Sequence, residues 1–484
     1  MSAPSSRGIS REALLAALPP LPDTRALREE IGRAVADRSR RVVVLDDDPT
    51  GVQTVHDIDV LTTWEVEDLA AALRRPEPLF YVLTNSRALP RAGAVALATE
   101  LAANLAAAAT GTGIRPDMIS RGDSTLRGHY PWELDPLAEW VGPGGPDGHL
   151  IVPAFPAGGR ITLNGVHYVA EGDRFVPAAE TDFARDPSFG YTHAHLAAWV
   201  EEKTEGRRRA GDVLHVPLTL LRAGDPAPVR AVLGLARDNQ PIVADCVEEA
   251  DLVVLVAALL RAEAEGQRFL CRTAASFVKV RAGLTDRPLL TRADLCPTAG
   301  PAGGLVLVGS YVPRTAEQLA RIRPSPRLRT RELSVSALLA APDPQAVVGD
   351  LVAWADEALA AEATALVYTS RDLVAAHGGR DHVGVAATVS AALAAVASGL
   401  SRRPAWMIAK GGITSSDVAT RGLGVRRARV LGQVATGVPV WRLGPEARFP
   451  GLAYVVFPGN VGTPDTLADL IDMLNPQAEH GEGR

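Results

Sequence analysis

The feature that most limits what this chain can become is a set of short, continuous apolar runs that stop abruptly in glycine, serine or acid. RVVVLDDDPTG at 41–51, PLFYVLTNS at 78–86, HLIVPAF at 149–155 and QPIVADC at 240–246 form a first set. GGLVLVGS at 303–310, ALVYTS at 365–370, AWMIAKGG at 405–412 and AYVVFPGN at 453–460 form a second. Runs without alternation suit strands covered on both faces, which is the condition of a parallel sheet. Helical stretches separate them, the clearest at 92–109, 344–361 and 383–398. The chain therefore predicts an α/β fold made of two α/β domains, the first around a parallel sheet. The Pro-, Gly- and Ala-rich stretch DRPLLTRADLCPTAGPAGG at 286–304 reads as the linker. The expected order is a helical extension at 1–40, a domain at 41–285, the linker, a second domain at 305–475 and a disordered tail at 476–484.

A chain of 484 residues, 47% of them hydrophobic, can bury two such cores. Its net charge of -6 offers no basic field for nucleic acid. The longest strongly apolar run, 252–260, is about half of the ~20 residues a membrane span needs. The opening MSAPSSRGIS lacks the layout of a signal peptide. Cys246, Cys271 and Cys296 stand alone, which suits a reducing compartment. These readings predict a cytoplasmic protein with no nucleic-acid or membrane partner, and leave a homodimer open. Only Lys203, Lys279 and Lys410 are lysines among the 50 basic residues, which draws notice to each.

Generic motifs are absent: no GxxxxGK[ST] loop, HExxH, paired CxxC or GxSxG, and GPGGPDG at 142–148 is not a dinucleotide fingerprint. Four local constellations carry more. Asp46, Asp47, Asp48, Pro49, Thr50 and Gly51 close the first strand. Adjacent carboxylates there can bind a polyol or take a proton from an attacking hydroxyl, or simply cap a helix and a turn. Ser120 to His129 carries Arg121 and Arg127 with Asp123, Ser124 and Thr125 between them, a carboxylate clamp or a locally bonded loop. The loop 153–165 brings Arg160 and Asn164 on Gly-rich backbone. Lys410, Gly411, Gly412, Ile413, Thr414, Ser415 and Ser416 pass from strand into helix, as a phosphate-binding turn does, though a Ser-capped helix would look alike. A similar loop, Phe457 to Thr463, follows the last strand, and Gly309-Ser310 ends the first strand of the second domain.

Taken in order, Asp-Asp-x-Thr-Gly at 47–51, Ser-Thr-Leu-Arg-Gly at 124–128, PAFPAGGR…NG at 153–165, Gly-Ser at 309–310, GGITSSD at 411–417 and PGNVGTPD at 458–465 resemble the four-carbon acid sugar kinase family over about 41–470. The resemblance implies an N-terminal sugar-acid-binding domain, a C-terminal nucleotide-binding domain and an active site in the cleft between them. It implies ATP and Mg2+, and a small, four-carbon sugar acid or oxo sugar acid as acceptor. Ser310, Gly411 to Ser415, Gly459, Asn460 and Gly462 would surround ATP, with Lys410 adding charge. Asp47, Asp48, Arg121, Ser124, Arg127, Arg160 and Asn164 would face the sugar acid, with Asp46, Thr50 and Asp123 beside them. Asp48 or Asp47 would take the hydroxyl proton, and Arg127 and Arg121 would anchor the carboxylate. Ile413 stands where some members have glutamate, and Asp46 and Pro49 depart from the commoner turn, so the substrate's name stays open. A nicotinamide-dependent oxidoreductase and a non-catalytic sugar-acid-binding module are the alternatives. His56, His129 and His167 lie near the expected sugar site, but a lone histidine is usually structural.

Overall fold

The computed structural model describes residues 8–36, 41–141, 144–296, 303–370 and 382–475. The chain divides into two compact units: Met1–Thr54 with Thr63–Asp286, and Val55–Thr62 with Arg287–Arg484.

The first unit is built on a parallel sheet. In spatial order its strands are Leu214–Val216, Gln240–Ala244, Gly148–Val152, Phe269–Thr273, Asp117–Arg121, Val42–Asp46 and Leu79–Leu83. Every neighbouring pair is parallel. Val42–Asp46, Leu79–Leu83 and Gly148–Val152 are buried along their whole length, which is why they read as unbroken apolar runs. The helix Arg91–Thr112 is long and apolar enough by composition to cross a membrane. Its buried residues Ala94, Ala98, Leu101, Ala102, Leu105 and Ala108 recur at helical spacing, and it packs on the helix Val66–Leu73.

The apolar run 252–260 lies in the helix Glu249–Ala264, opened by a capping box between Glu248 and Asp251. All nine of its residues are buried, so the run is core rather than surface. The N-terminal stretch joins the same unit. Arg25–Ala36 lies on that helix, where Arg28 bonds Glu249 at 3.0 Å and Arg261 bonds Glu30 at 2.8 Å. Ile9–Ser10 adds an edge strand to a small antiparallel sheet completed by Arg174–Pro177, Val166–Glu171 and Arg160–Leu163.

The second unit carries a mixed sheet. Leu328–Leu333, Thr364–Thr369, Leu305–Val308, Trp406–Lys410 and Ala453–Phe457 are parallel neighbours in that order. Val438–Leu443, Arg427–Ala435 and Ile58–Leu61 then continue it antiparallel. Ile58–Leu61 comes from far upstream and is tied on by Arg429 to Asp59 at 3.2 Å and by the Thr62 amide to the Arg426 carbonyl at 3.0 Å. Val306, Val308, Trp406, Val440, Val455 and Phe457 form its core. Of the stretch read as a linker, 287–296 is folded onto this unit. Leu290 and Leu295 are buried in its core, and Arg292–Leu295 is a short helix capped by Thr291 and Asp294. Residues 297–302 and the tail 476–484 lie outside the described residues.

Candidate active site

In the first unit, strand register sets the site. Asp46 lies beside Leu83 on one side and Arg121 on the other, and Arg121 lies beside Thr273. Segments 46–51, 84–87 and 121–128 therefore leave the sheet at one edge, next to Arg272. Parallel sheets hold ligands at this edge because the loops there share one end of the sheet.

Asp46 and Asp47 are almost wholly buried. Three adjacent carboxylates would repel one another, and two arginines relieve the repulsion. Arg121 reaches Asp46 at 3.1 Å and Asp47 at 3.5 Å, while Arg87 reaches Asp47 at 2.8 Å and Asp48 at 3.5 Å. Burial pushes the Asp46 carboxyl up to about 7; Arg121 opposes this and the charges of Asp47 and Asp48 add to it. Burial would raise Asp48 as well. Arg87, the Thr50 hydroxyl, Arg121 and the Thr50 amide at 2.8 Å together outweigh it and hold Asp48 below its ordinary value. Asp48 is also the most exposed of the three, so it combines an ionised carboxylate with access.

Arg87 escaped the sequence reading, although it follows the end of the strand Leu79–Leu83 by four residues. It stands 3.7 Å from Asp123, which also accepts from Thr125 and, at 2.8 Å, from Arg127 Nε. Burial would raise Asp123, yet Arg87 and Arg127 hold it well below the carboxylate range. Arg127 is shared further with Asp186 at 3.6 Å and lies over the Phe183 ring. The guanidiniums of Arg121 and Arg127, expected to clamp a substrate carboxylate, are thus already engaged by protein carboxylates. Their chief work in this structure is to order the acids.

Arg272 also escaped the sequence reading, because it lies within a strand. Its guanidinium fills a slot against the backbone of Gly122 and Gly128; a Cβ on Gly122 would lie 1.1 Å from Nη1. From there it donates to the Arg127 carbonyl at 3.2 Å and meets Glu133 at 3.5 Å, which also accepts from Ser120. Ser124 sits half-buried in the same loop, its carbonyl accepting from His167 at 2.8 Å. His167 also bonds Thr162, and burial lowers its ring to about 4. His129 bonds the Ser86 and Leu89 carbonyls, and His56 pairs with Asp57, so all three histidines hold structure.

Arg160 and Asn164 part company. Arg160 opens the strand Arg160–Leu163 and sits in the field of Asp123 and Arg127. Asn164 is exposed in the turn at the strand's other end, with φ of 52° followed by Gly165 at 74°. Asn-Gly is the preferred pair for such a hairpin turn. The amides of both residues donate to the buried Asp245 at 2.9 Å. Asn164 is accounted for by the turn, and nothing brings its side chain to the acid cluster.

In the second unit, the carboxyl ends of Leu305–Val308, Thr364–Thr369, Trp406–Lys410 and Ala453–Phe457 border a cavity of about 350 Å³. Ser310, Gly411, Gly412, Thr414, Gly459 and Asn460 make its polar side. Val335, Val385, Val389, Val312, Tyr311 and Ile413 make its apolar side. Gly411, at φ 119°, turns the chain from strand into the helix Gly412–Asp417. Thr315 clamps the loops together, its hydroxyl lying 3.0 Å from Ser310 Oγ and 2.9 Å from the Gly459 carbonyl. A polar rim of turns facing an apolar wall suits a molecule with phosphate at one end and a flat base at the other.

Three residues expected at the nucleotide do not line this cavity. Ser415 is buried, with its hydroxyl on the Gly412 carbonyl, and Gly462 packs against Thr466. Lys410 is fully buried, with Nζ donating to the Pro458 and Gly459 carbonyls at 3.1 and 3.3 Å, 3.7 Å from the Phe457 ring centre. Burial, and secondarily Arg314, lowers its pKa to about 7. Lys410 holds the Pro458–Gly459 turn. Among the described residues no group of three or more His, Cys, Asp and Glu side chains is arranged to hold a metal ion.

A sheet-edge acid–arginine cluster on one unit and a strand-end cavity rimmed by glycine turns on the other define an α/β protein for a polar small molecule and a nucleotide. Comparison with known proteins agrees. Residues 42–281 match a sugar-binding N-terminal domain, and residues 305–467 a nucleotide-binding C-terminal domain. The chain is 30% identical to a 3-oxo-tetronate kinase of Methylobacterium radiotolerans, over 67% of this chain and 73% of that protein. It is 29% identical to a D-threonate kinase of Cupriavidus necator, over 70% and 75%. A Salmonella typhimurium LT2 structure covers 90% of the chain at TM-score 0.65 and 18% identity, all of that chain being matched. A Haemophilus influenzae structure covers 89% at 0.61 and 18%, again with all of it matched. These two show the fold. The chain belongs to the four-carbon acid sugar kinase family, a family of phosphotransferases. That membership sets aside the oxidoreductase.

Proposed function

We propose that the protein transfers the γ-phosphoryl group of ATP to a hydroxyl of a four-carbon sugar acid or oxo sugar acid, as a cytoplasmic enzyme. The observation that carries this is the strand-end cluster of the first unit. It gathers Asp46, Asp47, Asp48 and Asp123 with Arg87, Arg121, Arg127 and Arg160, yet leaves Asp47 Oδ2 and the Nε of Arg87, Arg121 and Arg160 buried without a hydrogen-bond partner. Buried polar atoms are normally satisfied, and four orphans gathered in one cluster are a feature of functional sites rather than of ordinary cores.

Asp48 is the group suited to take the proton from the attacking hydroxyl, being ionised and accessible. Arg87 holds it in place and pairs with Asp47 beside it. In the second unit, the turns at Ser310, Gly411–Thr414 and Gly459–Asn460 suit the phosphates, and Val335, Val385 and Val389 suit the base. A Mg2+ ion arriving with the nucleotide would neutralise phosphate charge. Transfer relies on positioning and electrostatics, so these loops matter more than any covalent step.

The test is ADP release from Mg-ATP against D-threonate, D-erythronate and their 3-oxo forms. Strong stimulation by one acid is expected. ATP binding without stimulation by any of them would overturn the proposal.

A further inference from the structure

Of the three lysines, two are committed to the fold. Lys279 is buried and bonds Glu249 at 2.6 Å and Asp286 at 2.5 Å, and Lys410 is fully buried on the Pro458 and Gly459 carbonyls. Lys203 differs from both. It ends the helix Leu196–Lys203 and borders a cavity of about 260 Å³, whose wall also includes Arg91, Gly128, Trp132, Ser188 and Phe189. Among the described residues its ammonium bonds only carbonyls, those of Phe189 at 3.4 Å and Gly190 at 3.1 Å. Glu202 and Glu205 border the same cavity, but Glu202 is bound to the amides of Thr192 and His193, and Glu205 to Arg91. Burial lowers the Lys203 pKa, against the opposing charge of Glu202. An amine that is half-buried, open to a cavity and short of a carboxylate is a better nucleophile than an ordinary surface lysine.

The carbonyls that Lys203 holds belong to a segment that bears on the acid cluster. One oxygen of Asp186 accepts from the Ser188 and Phe189 amides at 2.9 and 3.1 Å, and its other oxygen stands 3.6 Å from Arg127. The Asp186 carbonyl accepts from the Gly190 amide at 2.9 Å. The Phe183 ring lies under the Arg127 guanidinium, and the Phe189 ring meets His129 edge-on at 4.9 Å. Lys203 therefore pins the far end of the segment that positions Arg127. An acyl group on Nζ removes the positive charge and leaves a single N–H, too little to hold both carbonyls.

We infer that Lys203 is a site of acylation by a small acyl phosphate, and that its modification weakens binding of the acid by releasing segment 183–190 from Arg127. The second half rests on the sugar-acid reading above. After the ammonium gives one proton to water, the Nζ lone pair attacks the acyl carbon. The N–C bond forms as the C–O bond to phosphate breaks, phosphate leaves with the electron pair, and a second nitrogen proton passes to it. The cavity lies below the roughly 300–1,000 Å³ of sites for drug-sized ligands, which favours a small donor. Arg91 at its wall, shared with Glu205, is the kind of group that pairs with phosphate oxygens.

The test is run on the full chain with acetyl phosphate. Lysine occupancy is read by peptide mass, with a urea-unfolded sample as the control for intrinsic reactivity. In the folded protein Lys203 is expected to be acetylated at least about 10-fold faster than Lys279 and Lys410, which react only through opening of the fold; in urea the three should react alike. The acetylated protein and Lys203→Gln should show a KM for the accepted acid raised about 10-fold, the scale of a lost charged hydrogen bond, with kcat little changed. Lys203→Arg keeps the charge and the donors, so it should hold the wild-type KM and lose the response to acetyl phosphate. Amide hydrogen exchange at 187–190 should quicken in the acetylated protein and in Lys203→Gln but not in Lys203→Arg, a readout independent of turnover. Equal labelling of the three lysines in the folded protein overturns the inference while the kinase reading stands. So does acetylated Lys203 with unchanged exchange, or with a KM within about twofold of wild type. Selective acetylation with faster exchange, but no ADP release with any acid, supports the site and the release of the segment and refutes the kinase reading.

Discussion

Replacing Gly122 by alanine would set a methyl carbon 1.1 Å from Nη1 and 1.8 Å from Cζ of Arg272. The backbone at Gly122 lies outside the left-handed region, so alanine itself is tolerated there, and the whole cost is eviction of the guanidinium. Eviction removes the donor to the Arg127 carbonyl and leaves the buried Glu133 with only Ser120. Breaking a buried ion pair from one side costs about 3–5 kcal/mol, and the long 3.5 Å contact argues for the lower end. Gly122→Ala and Arg272→Ala are each expected to cost about 3 kcal/mol, a fall of roughly 6–12 °C in the thermal midpoint of the first unit. The double variant should be no worse than Arg272→Ala alone, because the methyl then enters vacated space. The coupling in this cycle is thus about as large as either single effect. The assay is calorimetry on the four proteins, with KM for the accepted acid as a second readout. Additive losses, or a Gly122→Ala protein as stable as wild type, would refute the packing argument.

Asp48→Asn should bind ATP and the acid at wild-type affinity while kcat falls about 10²–10⁴-fold, the usual worth of a positioned base; turnover within threefold would remove Asp48 from that role. Asp46 is held protonated to about pH 7 in the fold against 3.8 unfolded, so its contribution is full below about pH 4 and is lost as pH rises to 7. Asp46→Asn should flatten that part of a urea-midpoint profile, and an unchanged slope would contradict the assignment. Lys410 has the opposite sense: its pKa falls from 10.5 to about 7, so the unfolded chain binds more protons between those values and stability rises with pH across them. Lys410→Met should abolish this rise and raise KM for ATP several-fold through the loosened Pro458–Gly459 turn, whereas a selective loss of kcat would point to direct phosphate contact.

What could be read from the sequence follows from what each residue does. The strands buried on both faces announced themselves as apolar runs, because nothing but apolar side chains can occupy them. Arg427–Ala435 did not, since it alternates half-buried and buried positions and carries two arginines. Ile58–Leu61 did not, since a short strand containing Asp59 looks like a loop until its arginine partner is known. At the site, Asp46–Asp48 and Arg127 stood out by clustering. Arg87 and Arg272 did not, because their meaning comes from register between distant strands. Lys410 and Asn164 were noticed for good reason, rarity in one case and loop position in the other. Rarity does not tell whether an ammonium faces a phosphate or a carbonyl, and Asn-Gly is turn chemistry before it is binding chemistry.

The strand Ile58–Leu61 has a consequence for how the protein is made. Asp59 and its partner Arg429 are separated by 370 residues. At roughly 5–20 residues per second, a ribosome takes roughly 20–70 s to travel from one to the other. Through that interval the strand has left the ribosome without its neighbour, while the chain on both sides of it can already fold into the first unit. The nucleotide-binding half is therefore completed from both ends of the message, and a gene cut at the family boundary near residue 305 would deliver it with the edge of Arg427–Ala435 bare, the kind of open strand that recruits other chains.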